Sequence, residues 1–246
     1  MLGRDVAAVE VAGVLFLASA IRSALGFGEA LVAVPVLALV VPIQVAAPVA
    51  VLASITIALI AVLQDWRHIH VRSAVWLVLS TLAGIPLGLL LLKAAPEAAV
   101  KAILAAVIIA FPAYSLSGRQ RPELGNERYS WLFGFLAGIL GGAYGMNGPP
   151  LAVYGSLRGW TPKQFRATLQ GYFLPASLIG ICGYGLAGLW TPRVNHLYLV
   201  SLPLILAATF LGRSMNRRFD PGRFQAVVHV ALIAIGLILL TQAVAA

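Results

Sequence analysis

Apolar residues run through this chain in stretches of about eighteen to twenty-three, with the charged residues confined between them. That is the length a helix rising 1.5 Å per residue needs to cross about 30 Å of hydrocarbon. The pattern predicts ten helical spans, at about 6–25, 30–41, 44–63, 73–92, 99–116, 131–145, 149–157, 166–188, 195–212 and 224–243. Two of them, 30–41 and 149–157, are too short to cross a bilayer. Each follows a longer span after a glycine-containing break: Gly26-Phe27-Gly28-Glu29 in the first half and Gly145-Met146-Asn147-Gly148-Pro149-Pro150 in the second.

Composition agrees with that pattern. Of 246 residues, 61% are hydrophobic and 10% charged, and the mean hydropathy is +0.94, well above that of a water-soluble domain. An all-α, polytopic helical membrane protein follows. A β-barrel would show alternating segments of about ten residues with polar lumen positions, and neither is present. The net charge of +9 and pI of 10.3 come from basic residues in short loops rather than from one patch, which points to membrane orientation and not to nucleic acid. The lone Cys182 allows no internal disulfide and reads as an inert packing residue in an apolar stretch. Ala18-Ser19-Ala20 looks like a signal-peptide cleavage site. The preceding segment lacks the expected positive charge, because Arg4 is offset by Asp5 and followed by Glu10, so the first span is read as retained.

Sliding the chain on itself by 119 residues aligns Gly26 with Gly145, Ala33 with Ala152 and Val34 with Val153, and brings the two short spans together. This divides the chain into a first repeat, 1–116, a linker, 117–130, and a second repeat, 131–246. Orientation follows from the loops. Twelve of the 17 Lys and Arg fall in four of them, 64–72, 117–129, 158–166 and 213–223, which the positive-inside rule assigns to the cytoplasm. His68 and His70 share the first of these loops and do not form a metal-ligand spacing. Continuity then requires each long-plus-short pair to enter and leave on one face. Each half becomes a broken-helix hairpin plus three crossings, the halves are inverted, and both termini lie outside the plasma membrane. Inverted repeats with broken helices are the architecture of many secondary transporters, with substrate bound near the midplane where the breaks meet.

The breaks hold the residues that can carry chemistry. Asn147 is suited to cap a short helix from Pro149 to Gly155, Gly148 permits close backbone approach, and proline is tolerated in a first helical turn. Such a helix end presents unpaired N–H groups and about half a positive charge, a site for an anion. A kink that aids packing is the plainer reading of either break alone. In the first break Glu29 is an acidic residue deep in apolar sequence, where a charge is costly. It either carries a proton coupled to transport or caps the helix that follows. Arg22, one turn before the break, pairs with Glu29, or contacts the anion, or snorkels to an interface. Gln170 lies one turn beyond Arg166, which reads as a cytoplasmic-face anchor. Ser23, Ser54, Thr56, Tyr144 and Tyr172 complete the inward-facing candidates. No metal-ligand spacing, Walker A loop or nucleophile elbow is present, so no cofactor and no enzymatic activity is expected.

The stretches LGFGEALVAVPVLALV (25–40) and GAYGMNGPPLAVYGSLRGWTPKQFRATLQGYF (142–173) resemble the paired motifs of the sulfite exporter TauE/SafE family. The resemblance covers nearly the whole chain and implies a secondary transporter, often an exporter, of sulfur-containing anions such as sulfite, sulfoacetate and related organosulfonates. Carried onto this chain, it places Gly26 and Gly28 in the first signature, Gly145, Gly148, Pro149 and Pro150 in the second, and Arg166 at the basic position that follows. Glu29 and Asn147 stand where members often have a further glycine. The expected substrate site is therefore Arg22, Gly26, Phe27, Gly28, Glu29, Tyr144, Gly145, Asn147, Gly148, Pro149, Pro150 and Gln170. The expected partners are a small anion, the lipid bilayer, protons as coupling ion and a second copy in a homodimer. A channel of the same architecture and a non-transporting membrane component are the alternatives.

Overall fold

The structure is a computed structural model that describes residues 2–65, 70–117, 127–215 and 221–245. The described residues form ten α-helices and one short 3-10 turn, Glu127–Tyr129. The first half contributes α1 (Leu2–Leu25), α2 (Glu29–Leu37), α3 (Ile43–Asp65), α4 (Val71–Ala94) and α5 (Glu97–Leu116). The second contributes α6 (Ser130–Tyr144), α7 (Gly148–Leu157), α8 (Pro162–Leu186), α9 (Pro192–Met215) and α10 (Pro221–Ala245). Among the described residues five helices, in α1, α3, α4, α5 and α9, are long and apolar enough to cross a membrane. Arg67, His68, Arg119, Arg121, Arg217 and Arg218 of the loop count lie outside the described residues, as do 118–126 of the linker.

The helix starts repeat with the 119-residue offset: Glu29 with Gly148, and Ile43 with Pro162. Packing follows the same rule. The two most extensive interfaces are α4 on α6 and α1 on α9, which exchange when the halves are exchanged, while α3 packs on α8 and α5 on α10. Each half is thus completed by the other. Glycines permit the closest of these contacts, because Gly84 and Gly88 of α4 meet Gly138 and Gly142 of α6 where an added Cβ would strike backbone atoms. Small residues at such spacing let membrane helices approach closely, and dispersion then replaces the hydrophobic drive that lipid does not supply.

Local chemistry accounts for most helix ends. Gly26, Gly28 and Gly145 have positive φ, of 89°, 98° and 65°, a conformation that costs other residues about 1–2 kcal/mol. These glycines are what turn the chain between each long helix and its short partner. α2 stops at Leu37, earlier than the apolar run, and Pro42 has no N–H to bond the Ala38 carbonyl and carry the helix on. α8 opens with a capping box in which Thr161 and Gln164 bond each other's backbone N–H. Asn147 occupies the N-cap position of α7, but its side chain makes no capping bond. It turns inward instead, donating to the Tyr172 hydroxyl at 3.2 Å. Cys182 also departs from expectation: it is exposed on α8, since apolar composition does not separate a helix face packed on protein from one turned to lipid.

Candidate functional site

Both breaks meet at a small cavity of about 20 Å³, room for about one water molecule. Residues 28–31 form one wall and 145–148 the opposite one, with Arg22, Ser54 and Phe173 closing the sides. The N-terminal halves of α3 and α8 hold these walls in place by one rule used twice. Ala47, Val51 and Ser54 lie on one face of α3, and Arg166, Gln170 and Phe173 lie on one face of α8, at i, i+4 and i+7. A Cβ added at Gly145 would meet Val51 at 2.7 Å, and one added at Gly26 would meet the stem of Arg166 at 2.5 Å. Each third helix therefore covers the break of the other half.

Arg22 is the centre of the polar contacts. Its Nη1 donates to the Glu29 carboxylate at 2.5 Å and to the Ser54 hydroxyl at 2.6 Å, and its Nη2 donates to Gln170 Oε1 at 2.7 Å. Gln170 Nε2 in turn donates to the Gly26 carbonyl at 2.7 Å, so the amide ties the arginine to the turn beside it. The guanidinium lies 4.8 Å from the centroid of the Phe173 ring, within cation–π range. Arg22 and Glu29 are both 2% exposed. Arg22 is thus paired and does not snorkel, and Glu29 turns to it from the first residue of α2. The pair is not saturated, since Arg22 Nε and Glu29 Oε1 are buried without hydrogen-bond partners.

The two short helices differ as anion sites. The first four N–H groups at a helix start have no partner within the helix. At α2 these belong to residues 28–31, all able to donate, and the first helical bond runs from Val32 N–H to the Gly28 carbonyl. At α7 they belong to residues 147–150, where Pro149 and Pro150 have no N–H. Half of its donors are gone, and the Asn147 side chain is the polar group that remains on that wall.

Of the residues expected at the site, Arg22, Gly28, Glu29, Gly145, Asn147 and Gly148 line the cavity, and Gln170 and Gly26 stand directly behind it. Phe27 is outside the lining, its ring edge-on to Phe111 and Phe165 and 3.7 Å from where a Cβ on Gly148 would stand. Tyr144 is buried but donates to the Val100 carbonyl of α5 at 2.9 Å. Pro149 and Pro150 shape α7 outside the lining. Arg166 lies half-buried with its stem over Gly26. Leu31, Met146 and Phe173 were not expected. Phe173 was within reach of the sequence, because it lies three residues after Gln170 and matches Ser54 under the 119-residue offset. Among the described residues no group of His, Cys, Asp and Glu is placed to hold a metal ion.

Paired helix breaks, a buried charge pair between them and apolar helices all round describe a polytopic helical membrane protein with an internal polar site. The chain belongs to the sulfite exporter TauE/SafE family, whose model matches residues 11–239, and hence to a family of membrane transporters. It is similar to a protein of Cupriavidus necator described as a probable sulfite/organosulfonate exporter TauE, at 24% identity over 184 residues that cover 73% of this chain and 72% of the relative. No solved structure matches the chain.

Proposed function

We propose that this protein is a secondary transporter that exports a small sulfur-containing or organic anion, such as sulfite or an organosulfonate, across the plasma membrane by alternating access. The observation that carries the reading is the small cavity between the two breaks, lined by a buried arginine that is held by neutral and ionic partners at once. An anion entering it meets Arg22, the N–H groups of α2 and the Asn147 amide, while Ser54 and Gln170 steady the guanidinium. Glu29 occupies Arg22 when the site is empty, so substrate and carboxylate compete for one cation. Protonation of Glu29 would release Arg22 and couple proton movement to anion binding. The loop charges support an inverted repeat with both termini outside, and the exchange of packing partners is what a two-fold relation between the halves requires.

Counterflow in proteoliposomes tests the reading. Uptake of labelled sulfite or methanesulfonate should saturate and accelerate when unlabelled anion is loaded on the opposite side. Flux linear in concentration and indifferent to the opposite side would assign a channel, and no flux of any tested anion would sink the transporter reading.

A further inference from the structure

We infer that an open groove between α3, α4 and α8, away from the two breaks, seats an acyl chain of an anionic phospholipid whose head group lies at the start of α4. Such a site is independent of the anion that is transported.

The groove has a volume of about 410 Å³, within the range of ligand sites. Val71, Val75 and Leu79 run along one face of α4 over about 12 Å of helix axis. Val62 of α3 and Gly171 and Pro175 of α8 line it from the neighbouring helices. Every lining side chain is apolar, so an ordered water would find no side-chain partner there. Val71, Val75 and Leu79 remain exposed, which leaves the groove open on the outer side of α4.

The other half shows what fills such a slot. Under the 119-residue offset Leu79 corresponds to Tyr198, Gly171 to Leu52 and Pro175 to Thr56. There Tyr198 of α9 meets the Thr56 hydroxyl of α3 at 2.7 Å, and Tyr198 and Leu52 both pack on the buried core. Between α4 and α8 a leucine stands in place of that tyrosine, a glycine in place of that leucine, and the hydroxyl pair is gone. Space that the protein fills in one half is left to its surroundings in the other.

Charge orients the occupant. The loops before α4 and α8, 64–72 and 158–166, hold five basic residues and one acidic residue, Asp65. The His70 N–H donates to the Thr168 hydroxyl at 3.0 Å, which keeps the start of α4 beside α8. Arg72 follows Val71 on the first turn of α4 and is exposed, and Trp76, one turn further, is exposed as well, as aromatic residues at head-group level are. Beyond it, residues 73–92 of α4 and 167–186 of α8 include no charged residue. A groove that is basic at one end and apolar along its length matches an amphiphile with a negative head, and basic segments beside membrane helices attract anionic lipids. α8 separates this groove from the cavity, with Gly171, Leu174 and Pro175 lining the one and Phe173 the other. A seated chain therefore braces the helix whose Gln170 holds Arg22.

Native mass spectrometry tests the site on the full-length protein, stripped of lipid in detergent and supplied with dioleoyl phosphatidylglycerol or dioleoyl phosphatidylcholine. One phosphatidylglycerol should be retained per chain, and phosphatidylcholine should bind more weakly by about fivefold or more, the preference that one basic residue at a membrane surface supplies. Gly171→Leu and Leu79→Tyr give the groove the residues of the other half. Each should weaken retention by about tenfold, because the acyl chain loses the packing contacts that stand in for hydrophobic drive within lipid. Leu79 is half exposed, so Leu79→Tyr decides the matter even where Gly171→Leu fails to fold. Unchanged retention in folded Leu79→Tyr, or equal retention of the two lipids, would overturn the inference. So would a lipid-free dimer whose copies cross-link through Val75→Cys/Cys182→Ser, since a second copy would then cover the groove.

Discussion

The two breaks are built on one plan and furnished differently. Where the first carries Arg22, Glu29 and a covering pair of Arg166 and Gln170, the equivalent positions of the second hold Gly141, Gly148, Ala47 and Val51. Gly28 of the first corresponds to Asn147 of the second, and Ser54 to Phe173. The halves share the left-handed turn at Gly26 and Gly145 but not the cap, which is left-handed at Gly28 and right-handed at Asn147, and ionic chemistry is concentrated in one of them. A symmetric pair of arginines in so small a space would repel each other. A single arginine balanced by a single carboxylate keeps the empty site neutral and leaves one charge to offer.

Exchanging residues between the halves tests how much of the site depends on that asymmetry. The largest effect is expected at Arg22. Arg22→Met should abolish transport and destabilise the protein by about 3–5 kcal/mol, because it strands the buried Glu29. The double variant Arg22→Met/Glu29→Leu should regain most of the stability and none of the transport, as read by melting in detergent and flux in vesicles. Equal stability of the single and double variants would break the account of the pair.

Gln170→Val installs the residue of the second half. It removes an acceptor from Arg22 and a donor to the Gly26 carbonyl, and a loss of about 2–3 kcal/mol is expected for bonds of this kind involving a charged group. The reverse exchange, Val51→Gln, should bring no gain in anion binding, since Gly141 offers nothing for the amide to hold. Tighter binding in that variant, measured by calorimetry, would show that the second break can carry polar chemistry too.

The turning glycines rank next, at about 1–2 kcal/mol each for their positive φ. Gly145→Ala should be worst, because its Cβ meets Val51 and comes within 3.1 Å of the Ala47 carbonyl oxygen. Gly26→Ala should be milder, since the flexible Arg166 stem can shift, and Gly28→Ala mildest, with nothing within 4 Å. Melting temperatures in any other order would mean that the breaks are not held as described. The smallest effect belongs to Tyr172→Phe, which removes bonds to Thr81 and Asn147. A cost of about 0.6 kcal/mol is expected, because the membrane-embedded unfolded chain also finds partners.

The helices, their order and the two breaks were legible in the sequence because span length and glycine placement are local signals. The 119-residue offset also anticipated which helix starts correspond. Much of the site was legible for the same reason: Arg22, Glu29 and Asn147 are polar residues in apolar surroundings. What escaped was direction. Tyr144 sits beside a break in sequence, yet its hydroxyl reaches the Val100 carbonyl of α5. Cys182 faces outward in a stretch as apolar as any buried one. In a chain whose inner and outer surroundings are both greasy, hydrophobicity marks depth in the membrane and not which side of a helix is packed. Leu31, Met146 and Phe173 had no polar signature to single them out.

The central claim is that a bound anion and the Glu29 carboxylate compete for Arg22. Calorimetric titration of methanesulfonate into the wild type and Glu29→Gln, between about pH 5 and pH 8, tests it most directly. In the wild type, binding should tighten as pH falls, because protonation of Glu29 frees the guanidinium. In Glu29→Gln it should match the tightest wild-type value at every pH. A folded Glu29→Gln protein that fails to bind, or that keeps the wild-type pH dependence, would contradict the account.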